Sequence, residues 1–127
     1  MINSDSNFKT EQKNPFAKGD IVIVPFPFTN LQGQKVRPAL ILSNNDSGDF
    51  VVCFISSRID KISQNEVNIV ANSVNNLKVD SKITCSKITT LDKKIFLGKI
   101  GKISEENMKT VDNNLFNIFN LRQVDLK

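Results

Sequence analysis

The chain has 127 residues, 39% hydrophobic and 24% charged, enough for one domain with one core and too apolar for a disordered chain. No apolar stretch approaches the roughly 20 residues of a membrane span, and the N-terminus carries no secretory h-region, so the expected location is the cytoplasm. A net charge of +4 and a pI near 9.2 suit a polyanionic ligand without requiring one.

Residues 1–17 are polar and aperiodic and read as a flexible lead-in; a single domain is expected over 18–127. Lys18-Gly19-Asp20 is a turn signal. The β-branched run Ile21 to Val24 that follows suits a strand buried on both faces. Pro25 and Pro27 are expected to end that strand, because proline cannot donate to a sheet ladder. A polar loop from Phe26 to Val36 leads to Arg37, which the following proline holds extended. Pro38 to Ser43 reads as a second strand, closed by turn residues from Asn44 to Asp49.

Phe50 to Ile59 reads as a third strand. Side-chain alternation puts Val52, Phe54 and Ser56 on one face, and Val51, Cys53, Ile55 and Ser57 on the other. Glu66 to Val70 is a short alternating strand. Ser81 to Leu91 is a longer one, with Ile83, Cys85, Lys87 and Thr89 in alternation. A short helical turn and a further strand around Leu97 to Ile100 follow. From Ser104 the period changes: Met108, Val111, Leu115, Ile118 and Phe119 form the apolar stripe of an amphipathic helix. Ser104 suits the N-cap, and Glu105 and Glu106 suit the positive end of the helix dipole. Many short strands with one terminal helix describe a mainly β, barrel-like domain.

Three blocks of the sequence resemble the MazF/PemK family, the toxin halves of bacterial toxin–antitoxin pairs. They are "KGDIVIVPFPFTNLQGQKVRPALILSNN", "VVCFISSRI" and "DSKITCSKITTLDKKIFLGKIGKISEENMKTVDNNL", in family order, and with their surroundings they span roughly residues 18–121. The resemblance implies a small SH3-like barrel that dimerises and cuts single-stranded RNA without metal, leaving a 2′,3′-cyclic phosphate and a 5′-hydroxyl. The family's catalytic arginine, the one before proline, falls on Arg37, and its catalytic Ser/Thr falls on Ser56. Where many members carry an arginine before the T-(I/L)-D turn, this chain has Thr89.

The residue chemistry is compatible with that expectation. Histidine, tyrosine and tryptophan are absent, which removes the side chain most used for acid–base work near neutral pH. Two cysteines without histidine do not complete a common zinc sphere, so no metal or cofactor is expected, and Cys53 and Cys85 read as buried thiols. Cleaving RNA through its own 2′-oxygen needs no protein nucleophile. It needs the phosphate held in line, its developing charge stabilised, and two protons moved. A guanidinium is planar, charged and binds two phosphoryl oxygens at once, and a serine hydroxyl supplies a further donor. Two roles for the arginine fit the sequence: electrostatic stabilisation alone, or shuttling a proton as well.

The loop before Arg37 is long enough to form a groove wall. Phe28 reads either as a stacking platform for a base or as a hydrophobic plug beneath the loop. Thr29, Asn30, Gln32 and Gln34 are candidates to meet base edges, Lys35 a phosphate, and Gly33 is a further RNA-binding candidate. Ser57, Arg58 and Lys87 are further RNA-contact candidates, the two cations also reading as ordinary solvated charges. The implied partners are single-stranded RNA, a second copy of the chain, and an antitoxin with an acidic, disordered C-terminal segment. A non-catalytic toxin-like module that binds nucleic acid, an antitoxin or a protein target is the alternative. The gyrase-poisoning toxins of similar fold are disfavoured, because they act through a Trp-Gly-Ile ending and this chain has no tryptophan.

Overall fold

A computed structural model describes residues 15–26, 35–43 and 47–123. The elements are β1 (Asp20–Phe26), β2 (Lys35–Ile41), β3 (Asp49–Ser56), β4 (Glu66–Ile69), β5 (Ser81–Asp92), a 3-10 turn (Lys93–Ile95), β6 (Gly98–Lys102) and α1 (Glu105–Ile118). The strands make one antiparallel sheet in the order β4-β5-β3-β2-β1-β6. The domain is mainly β with a C-terminal helix, as its strand pattern leads one to expect.

The sheet is curled, and both of its faces are covered. Ile21, Leu40, Cys53, Ile55, Val67, Ile69, Ile83 and Cys85 point to the face that α1 closes with Met108 and Val111. Val22, Val24, Ala39, Ile41, Phe50, Val52 and Leu91 point the other way and pack with Phe16, Ile95 and Phe96. Alternation along β1, β2 and β3 therefore feeds two cores, and this is why the Ile21–Val24 run of β1 is apolar without interruption. Phe16, from the N-terminal segment, meets Phe50 and Phe96 edge-on at centroid distances of 6.0 and 5.1 Å.

The curl brings the far edges together. After β4 the chain turns through Asn72 to Asn76 and reaches β6: the Asn76 amide donates to the Ile100 carbonyl (2.6 Å), and the Lys102 N–H donates to the Val74 carbonyl (3.2 Å). Asn75 is buried and locks this turn. Its amide donates to the Val70 carbonyl, and its Oδ1 accepts from the Asn72 and Leu77 N–H groups. Gly101 is required at this seam, since a Cβ there would overlap the Val74 and Asn75 carbonyls.

Several boundaries differ from the sequence reading, each for a reason of pairing. β1 does not stop at Pro25 but runs to Phe26. β6 leaves β1 at Ile23, so Pro25 lies where the strand has a neighbour on one side only and its missing N–H costs no ladder bond on the open side. β2 starts at Lys35, because Lys35 and Val36 pair with Phe26 and Pro25; it ends at Ile41 rather than Ser43. β3 ends at Ser56, not Ile59. Ser104 caps α1 by accepting from the Asn107 N–H at 3.0 Å. Phe119 was expected on the packed stripe but is 55% exposed. The helix ends at Ile118, and Asn120 (φ +52°) reverses the chain, with its N–H on the Asn117 carbonyl and the Leu121 N–H on the Phe116 carbonyl.

Candidate active site

Arg37 stands on β2 opposite Val24, on the same face as Ala39 and Ile41. Its guanidinium carbon lies 5.1 Å from the centroid of the Phe26 ring, and Phe26 in turn meets Phe54 edge-on at 5.9 Å. Phe26 and Phe54 thus form an aromatic support that fixes the arginine beside a groove. The Arg37 Nε is buried and has no hydrogen-bond partner among the described residues. A buried donor left unpaired typically costs about 1–3 kcal/mol, so this nitrogen is primed for an acceptor brought by a ligand.

Ser56 ends β3 on the same face as Phe54. Its Oγ accepts from the Arg58 N–H at 3.0 Å, a contact that uses a lone pair and leaves the hydroxyl hydrogen to donate elsewhere. Phe26, Arg37, Phe54, Ser56, Arg58 and Lys87 line one open groove of about 380 Å³, with Glu66, Lys82 and Thr84 along the β4–β5 side.

Lys87 reaches this groove through an irregularity that sequence alternation does not reveal. β5 pairs with β3 as Phe54↔Thr84 on one side of the break and Cys53↔Ile88 on the other, so three residues of β5, Cys85 to Lys87, have no partner on β3. Alternation through Ile83, Cys85, Lys87 and Thr89 therefore fails as one continuous face. Ile83 and Cys85 face the helix-side core, while Lys87 is turned to the groove and Thr89, opposite Val52, to the second core.

Of the other sequence candidates, Ser57 separates from Ser56. It lines a second cavity of about 410 Å³, which Arg37 also borders, with Val36, Pro38, Leu77, Lys78 and Val79. Lys35 is exposed at the start of β2, across from Phe26. Phe28, Thr29, Asn30, Gln32, Gly33 and Gln34 lie outside the described residues. Phe26, Phe54, Glu66, Lys82 and Thr84 are groove residues that the sequence reading missed. The alternation of β3, which put Phe54 beside Ser56, was the available signal for one of them.

The electrostatics of the groove are one-sided. Among the described residues that line it, four cations, Arg37, Arg58, Lys82 and Lys87, stand against one carboxylate, Glu66. Glu66 is held below the usual carboxylate pKa, first by the Ser63 N–H and then by Lys82 and Thr84. The cysteines belong to the core: burial pushes the Cys85 thiol up to about 11 and Cys53 higher still, so both stay protonated and unreactive. Among the described residues no three His, Cys, Asp or Glu side chains gather as a metal-binding group. None of the described helices is long and apolar enough to cross a membrane.

Solved structures with this fold are found among bacterial toxins. An endoribonuclease from a mycobacterial species, in complex with its cognate antitoxin, superposes with a TM-score of 0.67 at 18% identity, covering 86% of this chain and 99% of that one. MazF from Deinococcus radiodurans gives a TM-score of 0.67 at 20% identity, over 84% of this chain and 97% of that one. The toxin MazF-mt6 of Mycobacterium tuberculosis gives 0.66 at 21% identity, over 82% and 99%. Residues 17–119 match the family described as the PemK-like, MazF-like toxin of type II toxin–antitoxin systems, and this chain belongs to that family.

Proposed function

We propose that this protein is a metal-independent endoribonuclease toxin that cuts single-stranded RNA through its 2′-hydroxyl, with Arg37 and Ser56 as the catalytic pair. The observation that carries this reading is the convergence of Arg37, with its unpaired buried Nε, and Ser56 in one cationic groove. Membership in the toxin family supports it, as does the likeness in fold to proteins described as endoribonucleases.

In this mechanism the 2′-oxygen loses its proton and attacks the adjacent phosphorus, and the bond to the 5′-oxygen breaks. The leaving oxygen takes up a proton, giving a cyclic phosphate and a 5′-hydroxyl. Arg37 grips two phosphoryl oxygens as charge develops, and Ser56 donates to the same group. One preorganised donor of this kind is typically worth about 10²–10³ in rate. Phe26 holds the guanidinium in its working orientation, and Arg58 and Lys87 attract the backbone on either side.

A domain this small offers a short track for a long RNA, so the active form is a homodimer whose groove crosses the subunit interface. The antitoxin inhibits by laying an acidic segment, disordered until bound, over the same cations. Incubating the purified chain with a long single-stranded RNA in EDTA tests the activity: discrete fragments ending in cyclic phosphate support it, and intact RNA across many sequences refutes it. Light scattering at twice the 14.2 kDa chain mass supports the dimer, and a strict monomer that still cuts refutes it.

A further inference from the structure

The β4–β5 side of the groove carries a charged cluster that the Arg37–Ser56 chemistry leaves unused. Glu66 opens β4, and its Oε1 accepts from the Ser63 N–H at 2.7 Å. Its Oε2 accepts from the Thr84 hydroxyl at 3.3 Å. The Lys82 ammonium lies 3.0 Å from Glu66 Oε1 and donates to the Lys61 carbonyl at 2.9 Å. Both side chains are largely enclosed, at 14% and 11% exposure, although both line the groove. An ammonium has three N–H donors, and among the described residues two of them are engaged.

The strand register places this lysine beside the catalytic pair. Lys82 is the direct partner of Ser56 across β3 and β5, and Thr84 is the partner of Phe54. Opposite residues of an antiparallel pair have Cβ atoms about 4.5–5.5 Å apart. Lys82 is therefore no peripheral charge swinging in solvent. It is tethered at two points and immediately adjacent to Ser56, with one donor that no described residue engages.

We propose that Lys82, held in place by Glu66, is a second phosphate-binding cation of this site, gripping the RNA backbone beside the phosphate that Arg37 and Ser56 engage. The inference rests on the RNA-cleaving reading of the groove. Lys82 contacts the substrate; Glu66 is a positioning residue that never meets the RNA. The two roles have opposite electrostatic signs, which makes them separable. Removing a carboxylate from a groove that binds a polyanion would by charge alone tighten RNA binding. If Glu66 positions Lys82, the same change slows cleavage.

The test compares wild type, Lys82→Met, Lys82→Arg and Glu66→Gln on one cleavable RNA and on its uncleavable 2′-deoxy analogue, well below the melting temperature of each. Lys82→Met is expected to lower kcat/KM at least tenfold. It should also reduce the slope of log binding constant against log salt by about 0.7, the loss of one single-strand phosphate contact. Lys82→Arg is expected to keep the slope. Glu66→Gln is expected to lower kcat severalfold while binding the analogue as tightly as wild type or tighter. Lys82→Met with an unchanged slope and unchanged kcat/KM, or Glu66→Gln at full kcat, overturns the proposal while leaving the RNA-cleaving reading intact. A wild-type protein that leaves the RNA whole overturns that reading itself.

Discussion

Replacing Arg37 with alanine separates catalysis from stability, and the structure sets both magnitudes. On the stability side, Arg37 contributes a cation–π contact with Phe26, worth about 0.5–1 kcal/mol at a partly exposed position. Against this stands its buried, unpaired Nε, whose desolvation costs about 1–3 kcal/mol and vanishes with the side chain. The second is the larger, so on these two contributions Arg37→Ala should leave stability unchanged or raise it by up to about 2.5 kcal/mol. For a domain of this size each kcal/mol moves Tm by roughly 3–6 °C. On the proposed mechanism the loss includes a bidentate charge at the phosphate, so the rate should fall by at least about 10²–10³. Arg37→Lys should fail nearly as badly, because a point charge does not reproduce a two-pronged contact. The assay is cleavage of a defined RNA beside a thermal melt of each variant. Arg37→Ala cutting within tenfold of wild type, or Arg37→Lys at near-full activity, would refute the bidentate role. A clear Tm loss would mean that Arg37 serves the fold instead.

The remaining expectations are quicker to state. Ser56→Ala should slow cleavage less than Arg37→Ala, and Ser56→Thr should be tolerated; unchanged cleavage in Ser56→Ala removes Ser56 from the site. Gly101→Ala should lower Tm markedly, because its Cβ meets backbone carbonyls of the Val74–Asn75 turn that have no room to retreat, and a melt matching wild type would contradict that packing. Native protein should resist thiol alkylation near pH 8, with both cysteines labelled only after denaturation, since burial keeps the thiols protonated. Glu66 is ionised more readily when folded, so its contribution to stability is present above its unfolded pKa of about 4.3 and is lost as pH falls through the lower folded value. The stability advantage of wild type over Glu66→Gln should shrink across that acid range, and a constant difference would count against the assigned cause.

What was legible in the sequence follows the range of the interactions involved. The strands, the 3-10 turn and the capped helix rest on local pattern, and they appear in the structure with ends displaced by a few residues. The uninterrupted Ile21–Val24 run correctly signalled burial on both faces, because alternation alone decides which core each residue enters. Pro25 misled, since whether proline ends a strand depends on whether a neighbour is present at that point. Such a neighbour is a property of β6, seventy-odd residues away. Arg37 and Ser56 stood out through the family pattern and the alternation of β3. Glu66 and Lys82 did not, because "EVNIV" and "SKITC" read as ordinary alternating strands until their mutual register is known. Lys87 reached the groove only because the β5 irregularity turned it there.

A structure of the protein bound to an uncleavable 2′-deoxy RNA tests the central claim most directly. It should show a backbone phosphate within hydrogen-bonding distance of both the Arg37 guanidinium and the Ser56 hydroxyl, with the strand running past Arg58 and Lys87. An RNA backbone seated instead in the cavity lined by Ser57, Lys78 and Val79, away from Ser56, would contradict it.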